Sequence, residues 1–284
     1  MFKKYFIIII LISIFSISCV EKRDLSKNIV VAHILSNPDG LHPFNDNSVM
    51  RSFIFQYTHK TLMRLDLSTL EYIPSLAKEL PKISENGLEY TFELKEGIKW
   101  DDGTPLTIDD IVFTTKLQLC PLTDNSAIRG NYTSVIKTIK TYPNNPNKFT
   151  MIAWEKNVTN SSIFSGIYLQ QKKYWDPNGV LDDLTFENIH SKNFKEKDEW
   201  SEWFNKFNHG DNRYKPENLV GLGPYQVSEW ETGSYITISR KNNWWGDSDA
   251  SVYNQNYPEE IIFKNNIKLF CIAAYNKVSC SSHC

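Results

Sequence analysis

Two pairs of adjacent aspartates, Asp101-Asp102 and Asp109-Asp110, are the residues whose types and spacing could support catalysis. Neighbouring carboxylates can hold a metal ion or divide the roles of acid and base between them. Local structure offers another explanation. The first pair precedes a glycine, a composition typical of a tight turn. Thr107 stands three residues before Asp110, as in a helix capping box with Asp in place of Glu. The turn and the cap account for both pairs, so we assign them no catalytic role.

A secreted hydrolase, such as a glycosidase, is the alternative that the acidic pairs and 8 tryptophans suggest. A glycosidase needs two carboxylates roughly 5 to 10 Å apart across a cleft. The sequence has no GxSxG, no HExxH and no Cys/His arrangement that would indicate another hydrolase. It also has no GxxxxGK[ST] motif, so any ATP hydrolysis belongs to a partner. We predict no catalytic residue and no cofactor.

The cysteines are Cys19, Cys120 and three near the end of the chain, Cys271, Cys280 and Cys284. In an oxidising compartment the last four could pair, and four cysteines allow three connectivities. No CxxC spacing is present, and we predict no metal site.

The first residues have the layout of a secretory signal. Two lysines precede an apolar run over residues 6–17, which is shorter than the roughly 20 residues of a spanning helix. Small residues and Cys19 follow, an arrangement similar to a bacterial lipobox. We predict a signal peptide over residues 1–18, lipidation of Cys19 and a polar tether over residues 19–27. An ordinary signal peptide or an uncleaved anchor are the alternatives.

Charge and length restrict the class of protein. The 33 acidic and 31 basic residues nearly balance, so no electrostatic footprint for nucleic acid is present. The sequence predicts no further membrane span after the signal segment. The chain that remains is long enough for a substantial core.

Strand and helix patterns alternate along the chain, which indicates an α/β or α+β protein. Aromatic residues at helical spacing over residues 198–207 indicate a face packed on the core. The patterns predict a buried strand over residues 29–35, a helix over 52–65, strands over 91–95 and 149–154, a helix from residue 108, and a hairpin over 226–238 with its turn at 231–234.

A dense motif runs EYTFELKEGIKWDDGTPLTIDDIVFTTKL from Glu89 to Leu117. It closely resembles the signature of the family 5 extracellular solute-binding proteins, in which a strand of type tFxLrxGvkw precedes a turn of type DGxPlTaxDvvfs. Further blocks follow the order of that family: Leu41-His42-Pro43, Ile73 to Ala77, Tyr174 to Gly179, Val220 to Tyr225 and Asn242 to Gly246.

The resemblance implies an α/β fold like that of type II periplasmic binding proteins, in which a small domain II is inserted into a mixed-sheet domain I. We place domain I at residues 28–68 and 158–264, and domain II at residues 69–157. Members of the family are nearly twice as long, and their domain III has no counterpart in this sequence.

The resemblance further implies a substrate-binding component of an ABC importer, anchored through lipid in the cell envelope on the periplasmic side. Its partners would be a peptide ligand, a membrane permease and a cytoplasmic ATPase. Relatives of this kind bind dipeptides, longer peptides, nickel complexes, haem or opines. We select Ser36, Asn37, Pro38 and Asp39, in the loop after the first strand, as ligand-facing residues. Tyr132, in domain II, would offer an aromatic wall, and the alternative is an ordinary surface tyrosine.

The end of the chain departs from the family pattern. After Lys264 the resemblance stops, and three cysteines occur within 20 residues. We predict an aberrant tail over residues 265–284 that follows a frameshift or a premature stop. Because enclosure of a ligand needs walls from two lobes, we expect such a chain to bind peptides weakly or not at all. The alternative to an aberrant tail is a genuine C-terminal element with a disulfide or a metal.

Overall fold

The computed structural model describes residues 28–36, 38, 40–46, 48–249 and 257–265. The predictions for the signal peptide, Cys19, the tether, Asn37, Asp39 and residues 266–284 fall outside the described residues. Within them, no helix combines the length and apolar composition needed to cross a membrane.

The described chain alternates helices and strands, as the sequence predicts. In chain order they are β1 (Ile29–Ile34), α1 (Val49–Thr58), β2 (Met63–Leu65), β3 (Tyr72–Pro74), β4 (Lys82–Ile83), β5 (Glu89–Glu93), α2 (Ile108–Leu119), α3 (Ser126–Thr133), β6 (Ile136–Thr141), β7 (Lys148–Ala153), α4 (Asn160–Ser165), α5 (Lys172–Trp175), α6 (Phe186–His190), α7 (Asp198–Phe207), β8 (Tyr225–Glu231), β9 (Tyr235–Arg240) and β10 (Glu260–Asn265).

The first sheet has the strand order β1-β10-β9-β8 and joins the two ends of the described chain. Strands β1 and β10 run parallel, with Ile29 opposite Glu260, and the other pairs are antiparallel. Strands β8 and β9 form the predicted hairpin. Its turn contains Gly233 at φ +84°, a conformation that glycine adopts without strain.

The second sheet is antiparallel, with the order β4-β5-β7-β6, and it contains the two strands predicted from residues 91–95 and 149–154. A separate two-stranded ribbon pairs β2 with β3. The architecture is therefore the mixed α/β fold that the sequence predicts.

Two apolar clusters hold these sheets in place. Helix α1 packs Ile54 and Phe55 onto the first sheet, where Tyr225, Ile236 and Ile238 are buried. The larger cluster joins the second sheet to the helices that follow it. The α7 aromatics Trp200, Phe204 and Phe207 are buried in this larger cluster, and Trp203 packs against it. This confirms that the aromatic face of α7 belongs to the core.

The prediction that β1 is a buried strand is wrong in part. The strand forms, but Ile34 is its buried residue, while Val30 stays 43% exposed. Within the described residues β1 pairs only with β10, which makes it an edge strand of the first sheet.

The predicted helix over residues 52–65 is also displaced. The helix ends at Thr58, and Met63–Leu65 form a strand instead. The Thr58 carbonyl oxygen accepts a hydrogen bond from the Gly223 N–H at 2.9 Å, which occupies an acceptor that a further helical turn would use. Pairing with β3 then draws the next residues into the ribbon.

Candidate ligand-binding site

The site is built around Arg51, the third residue of α1. Ser48 caps this helix, because its Oγ accepts the Arg51 N–H at 3.1 Å. Helical side chains lean toward the helix N-terminus, so the Arg51 guanidinium lies against the preceding loop. There Nη1 donates to the Pro43 carbonyl at 2.6 Å and to the His42 carbonyl at 3.3 Å. The Arg51 guanidinium carbon also lies 4.7 Å from the ring centroid of Phe55.

The guanidinium of Arg51 is buried without an ion pair to any carboxylate of the described residues. Burial lowers the pKa of Arg51, and the charge of nearby Asp46 opposes this shift. The Arg51 Nε has no hydrogen-bond partner within the described part of the chain. A buried charge normally has its donors paired, because leaving them unpaired is costly.

A cavity of about 90 Å³ lies beside Arg51. Its other polar lining residues come from separate parts of the chain: Gln118 near the end of α2, Asn125 at the start of α3, Tyr132 within α3, and Tyr168 in the segment after α4. Tertiary packing therefore brings five polar side chains to one small space.

Two of these side chains, like that of Arg51, have a buried polar atom without a hydrogen-bond partner among the described residues. Gln118 and Asn125 are both more than nine-tenths buried, and Gln118 Nε2 and Asn125 Oδ1 form no hydrogen bond to the described residues. Each unpaired buried polar atom costs roughly 1–3 kcal/mol. Native interiors seldom leave such atoms together unless water or a ligand satisfies them.

The cavity is positively charged at neutral pH. Burial raises the pKa of the Tyr132 and Tyr168 phenols, with the Arg51 charge opposing the shift, so both hydroxyls stay protonated. Burial lowers the pKa of His42 to about 4 and that of His59 to about 3, so these neighbouring imidazoles stay neutral. Arg51 therefore supplies the cationic charge at the cavity, surrounded by neutral hydrogen-bonding groups.

Tyr168 and Gly166 separate this cavity from a larger and more open pocket of about 540 Å³. His59, Lys60 and Arg64 are among the residues that line the larger pocket. The two spaces are therefore adjacent, with Tyr168 and Gly166 forming the wall between the larger pocket and the cavity beside Arg51.

Two glycines fix the end of α1, which carries Arg51. A Cβ on Gly221 would lie 2.1 Å from the Thr58 carbonyl oxygen, and one on Gly223 would lie 2.2 Å from the Tyr57 carbonyl oxygen. Leu222 between them accepts hydrogen bonds from the indole N–H groups of Trp244 and Trp245, both at 2.9 Å. The glycines of this block therefore permit close backbone approach, a structural role.

The aspartates that could have supported catalysis are committed to structure. Asp110 Oδ2 accepts from the Thr107 N–H at 2.9 Å and from the Trp100 indole at 3.3 Å, while Oδ1 accepts from the Lys172 N–H at 2.8 Å. The predicted capping box is confirmed. Asp102 accepts from Thr104 and pairs with Lys173 at 3.0 Å. The geometry gives the hydrolase alternative no support.

The predicted ligand-facing residues do not all meet. Tyr132 lines the cavity beside Arg51. Ser36 is exposed after β1 and Pro38 is buried, and neither of them lines that cavity. Sequence reasoning missed Arg51, Gln118, Asn125 and Tyr168. No local pattern marks these residues, although an arginine within an otherwise apolar and uncharged helical segment, VMRSFIF, is a signal that could have identified Arg51.

Potential metal ligands and cysteines offer no second centre in the described chain. Among the described residues, no three His, Cys, Asp or Glu side chains cluster in a way that could hold a metal ion. Cys120 is a buried free thiol, and burial raises its pKa to about 11.

Residues 71–266 match the family model described as bacterial extracellular solute-binding proteins, family 5 middle. The oligopeptide-binding protein AppA of Bacillus subtilis is 24% identical over 208 residues, which are 73% of this chain and 32% of AppA. Protein XP55 of Streptomyces lividans is 28% identical over 223 residues, which are 78% of this chain and 33% of XP55. The chain thus spans about a third of the length of these curated relatives.

Solved structures share the fold. An oligopeptide-binding protein from Thermus thermophilus, complexed with a pentapeptide, superposes with a TM-score of 0.64 at 18% identity, covering 88% of this chain and 43% of that one. AppA from B. subtilis, in complex with a nonapeptide, gives a TM-score of 0.59 at 18% identity over 84% of this chain and 40% of AppA. With a family model matching more than half of its residues, this chain belongs to the family 5 bacterial extracellular solute-binding proteins.

Proposed function

We propose that this chain binds peptides outside the cytoplasm as part of the substrate-binding component of an ABC importer. Family membership supports this proposal, and several relatives are named for oligopeptide binding. The observation that carries it is the cavity beside Arg51, where three buried polar atoms lack partners among the described residues and Tyr132 and Tyr168 supply aromatic walls. Such a mixture of apolar surface and a few convergent polar groups is typical of ligand sites.

We also propose a division of the chain into two domains around the site. Domain I would comprise residues 28–68 and 158–264, and domain II residues 69–157. The first sheet, built from strands near both ends of the described chain, is consistent with an inserted domain. Ser36, Asn37, Pro38 and Asp39 would approach the ligand from the loop after β1.

We further propose how the protein is held at the membrane and which subunits it works with. Cys19 would carry the lipid that holds the protein in the cell envelope, on the periplasmic side. A permease and a cytoplasmic ATPase would then complete the importer. The basic, apolar and small-residue order of the N-terminal sequence supports this localisation.

Saturation-transfer NMR tests peptide binding, because it detects weak as well as tight ligands. The purified chain is mixed in turn with short peptides and with oligosaccharides, and mass spectrometry follows whether either is cleaved. We expect saturation transfer to peptides without turnover. A Tyr132→Ala variant should transfer less, whereas Tyr214→Ala, at an exposed tyrosine outside the cavity, should match the parent. The proposal fails if no peptide receives saturation or if peptides are cleaved.

A further inference from the structure

We propose that the cavity beside Arg51 is a subsite for a carboxylate group of the ligand, with Arg51 as its counter-charge. This inference rests on the proposed function, because it assigns a chemical group to one end of the proposed ligand site. At about 90 Å³ the cavity is well below the roughly 300 Å³ of a pocket for a whole small ligand. It therefore takes one functional group, while the rest of the ligand lies outside.

The hydrogen bonds already made by Arg51 show which of its atoms is available. Both carbonyl contacts, to His42 and Pro43, use Nη1, and Nε is buried without a partner in the described chain. An ionised carboxylate is an acceptor with no proton to donate, and it forms its strongest hydrogen bonds with a guanidinium. A carboxylate in the cavity would pair Nε and neutralise the buried charge at the same time.

The other lining groups suit the same ligand. Gln118 Nε2 is a second buried donor without a partner among the described residues. The Tyr132 and Tyr168 phenols keep their protons and can donate. Asn125 presents its oxygen, and rotation of the amide exchanges that oxygen for an N–H. The cavity thus offers a cation and several neutral donors.

Other occupants fit this lining less well. A cation would face the Arg51 charge without a paired carboxylate in the cavity wall, and burial of like charges is unfavourable. Asp46 is buried outside the cavity wall, where its Oδ1 accepts the Ser48 N–H at 2.9 Å and its Oδ2 has no partner among the described residues. Its charge offsets the burial of Arg51 only in part, because the pKa of Arg51 remains lowered. Water could satisfy the donors but adds no negative charge, so Asp46 would remain the nearby compensation for the buried guanidinium.

The test uses acetate as the probe and acetamide as its neutral isostere, so it does not depend on peptide binding. The Arg51 Nε–H resonance of the 15N-labelled full chain is followed by NMR during each titration. We expect acetate to shift this resonance with saturation, and acetamide to bind about tenfold more weakly or worse, since bonds to a charged group are the stronger kind. No saturable acetate shift would overturn the proposal, because the cavity would then hold water only.

Variants separate the role of Arg51 from general charge effects. For Arg51→Gln, cavity resonances such as those of Gln118 report binding, and the acetate response should be lost. The control Arg240→Gln removes the same charge at an exposed position and should respond as the parent does. If Arg51→Gln does not fold, Gln118→Leu decides the question, because its side-chain nitrogen makes no hydrogen bond within the described chain. We expect Gln118→Leu to weaken acetate binding several-fold, and an unchanged affinity contradicts the proposal.

Peptides then identify the source of the carboxylate. Ala-Ala-Ala is compared with its C-terminal amide, and the amides of Ala-Asp-Ala and Ala-Asn-Ala are compared with each other. If Ala-Ala-Ala binds more tightly than its amide, the carboxylate in the cavity is the peptide C-terminus. If the Ala-Asp-Ala amide binds more tightly than the Ala-Asn-Ala amide, the carboxylate is that of an acidic side chain. If all four bind the parent and Arg51→Gln equally, the subsite is refuted while the peptide-binding function stands. If acetate binds at Arg51 but no peptide binds, the subsite stands and the peptide-binding function fails.

Discussion

Lys241 and Asp101 form an ion pair that joins the first sheet to the turn before α2, with Lys241 Nζ 2.7 Å from Asp101 Oδ1. The lysine is buried, and its ammonium also donates to the Gly221 carbonyl at 2.6 Å. Its two acceptors differ in exposure: Gly221 is buried, whereas the Asp101 side chain is 44% exposed. The contact to Gly221 should therefore contribute more to stability than the contact to Asp101.

Substitution of each partner tests this ranking. Lys241→Met keeps most of the apolar stem but leaves the Gly221 carbonyl without this donor, so we expect a loss of about 1–3 kcal/mol in the free energy of unfolding. Asp101→Asn removes a partly solvated charge and should cost below about 1 kcal/mol. Urea denaturation measures both. Equal losses of stability for the two variants would show that the contact to the Gly221 carbonyl contributes no more than the contact to Asp101.

The glycines of the VGLGPY block give a sharper steric prediction. Gly223→Ala places a Cβ 2.2 Å from the Tyr57 carbonyl oxygen, so the end of α1 must move or the variant must lose about 3 kcal/mol or more. Gly130→Ala is the matched control, because a Cβ there meets nothing within 4 Å and the residue lies inside a helix. We expect the control to gain roughly 0.5–1 kcal/mol. Thermal melts of the two variants should shift in opposite directions.

Asp110 does more than cap α2, because its carboxylate also accepts hydrogen bonds from Trp100 and Lys172. Thr107→Ala removes the capping hydroxyl and should cost about 1 kcal/mol. Asp110→Ala also leaves the Trp100 indole and the Lys172 N–H without their acceptor, so we expect a larger loss of about 2–4 kcal/mol. Asp109→Ala, at the exposed neighbouring position, should change stability little. Similar denaturation midpoints for the Asp110 and Asp109 variants would contradict this role.

Lipidation is tested by changing Cys19 to Ala. The parent chain should incorporate a labelled fatty acid during growth in a bacterial host, and the variant should not, because the acceptor thiol is gone. Cys120→Ala is the control, since that thiol is buried within the fold. Equal incorporation in all three chains would exclude Cys19 as the site.

Features determined by residues close in sequence could be predicted. The cap at Thr107 and Asp110 and the β8–β9 hairpin follow from spacing within a few residues, and both occur. The end of α1 could not be predicted, because the hydrogen bond that occupies the Thr58 carbonyl comes from Gly223, far along the chain. Helical periodicity describes only local preference, and a distant contact overrode it.

The candidate site was less predictable than the fold for the same reason. Tyr132 could be selected as an aromatic residue of the predicted domain II, but its neighbours Arg51, Gln118 and Tyr168 come from distant segments. Gln118 and Tyr168 are ordinary in their own sequence context, and only Arg51, in the otherwise uncharged segment VMRSFIF, has a local signal. Only the tertiary fold shows that these residues line one cavity, together with Asn125.

Two buried histidines make the stability of the chain depend on pH. His42 Nδ1 accepts the N–H groups of Phe44 and Asn45, at 3.2 and 3.1 Å, and Nε2 lies 2.9 Å from the Phe207 carbonyl oxygen. The two N–H contacts require an unprotonated Nδ1, so protonation would break both of them. Burial, together with the charges of Arg213 and Arg51, lowers the pKa of His42 to about 4 against the partial opposition of the Phe207 contact. Burial lowers that of His59 to about 3.

The unfolded chain takes up these protons near pH 6.5, whereas the folded chain takes them up only near pH 4 or below. Between those values the unfolded state binds more protons, so the free energy of unfolding falls as the pH is lowered. Each histidine should remove about 2 kcal/mol between pH 7 and pH 5. His42→Asn keeps an acceptor without a titrating group and should reduce this loss by about half. Urea denaturation at the two pH values measures the difference, and an equal loss in parent and His42→Asn would refute the assignment.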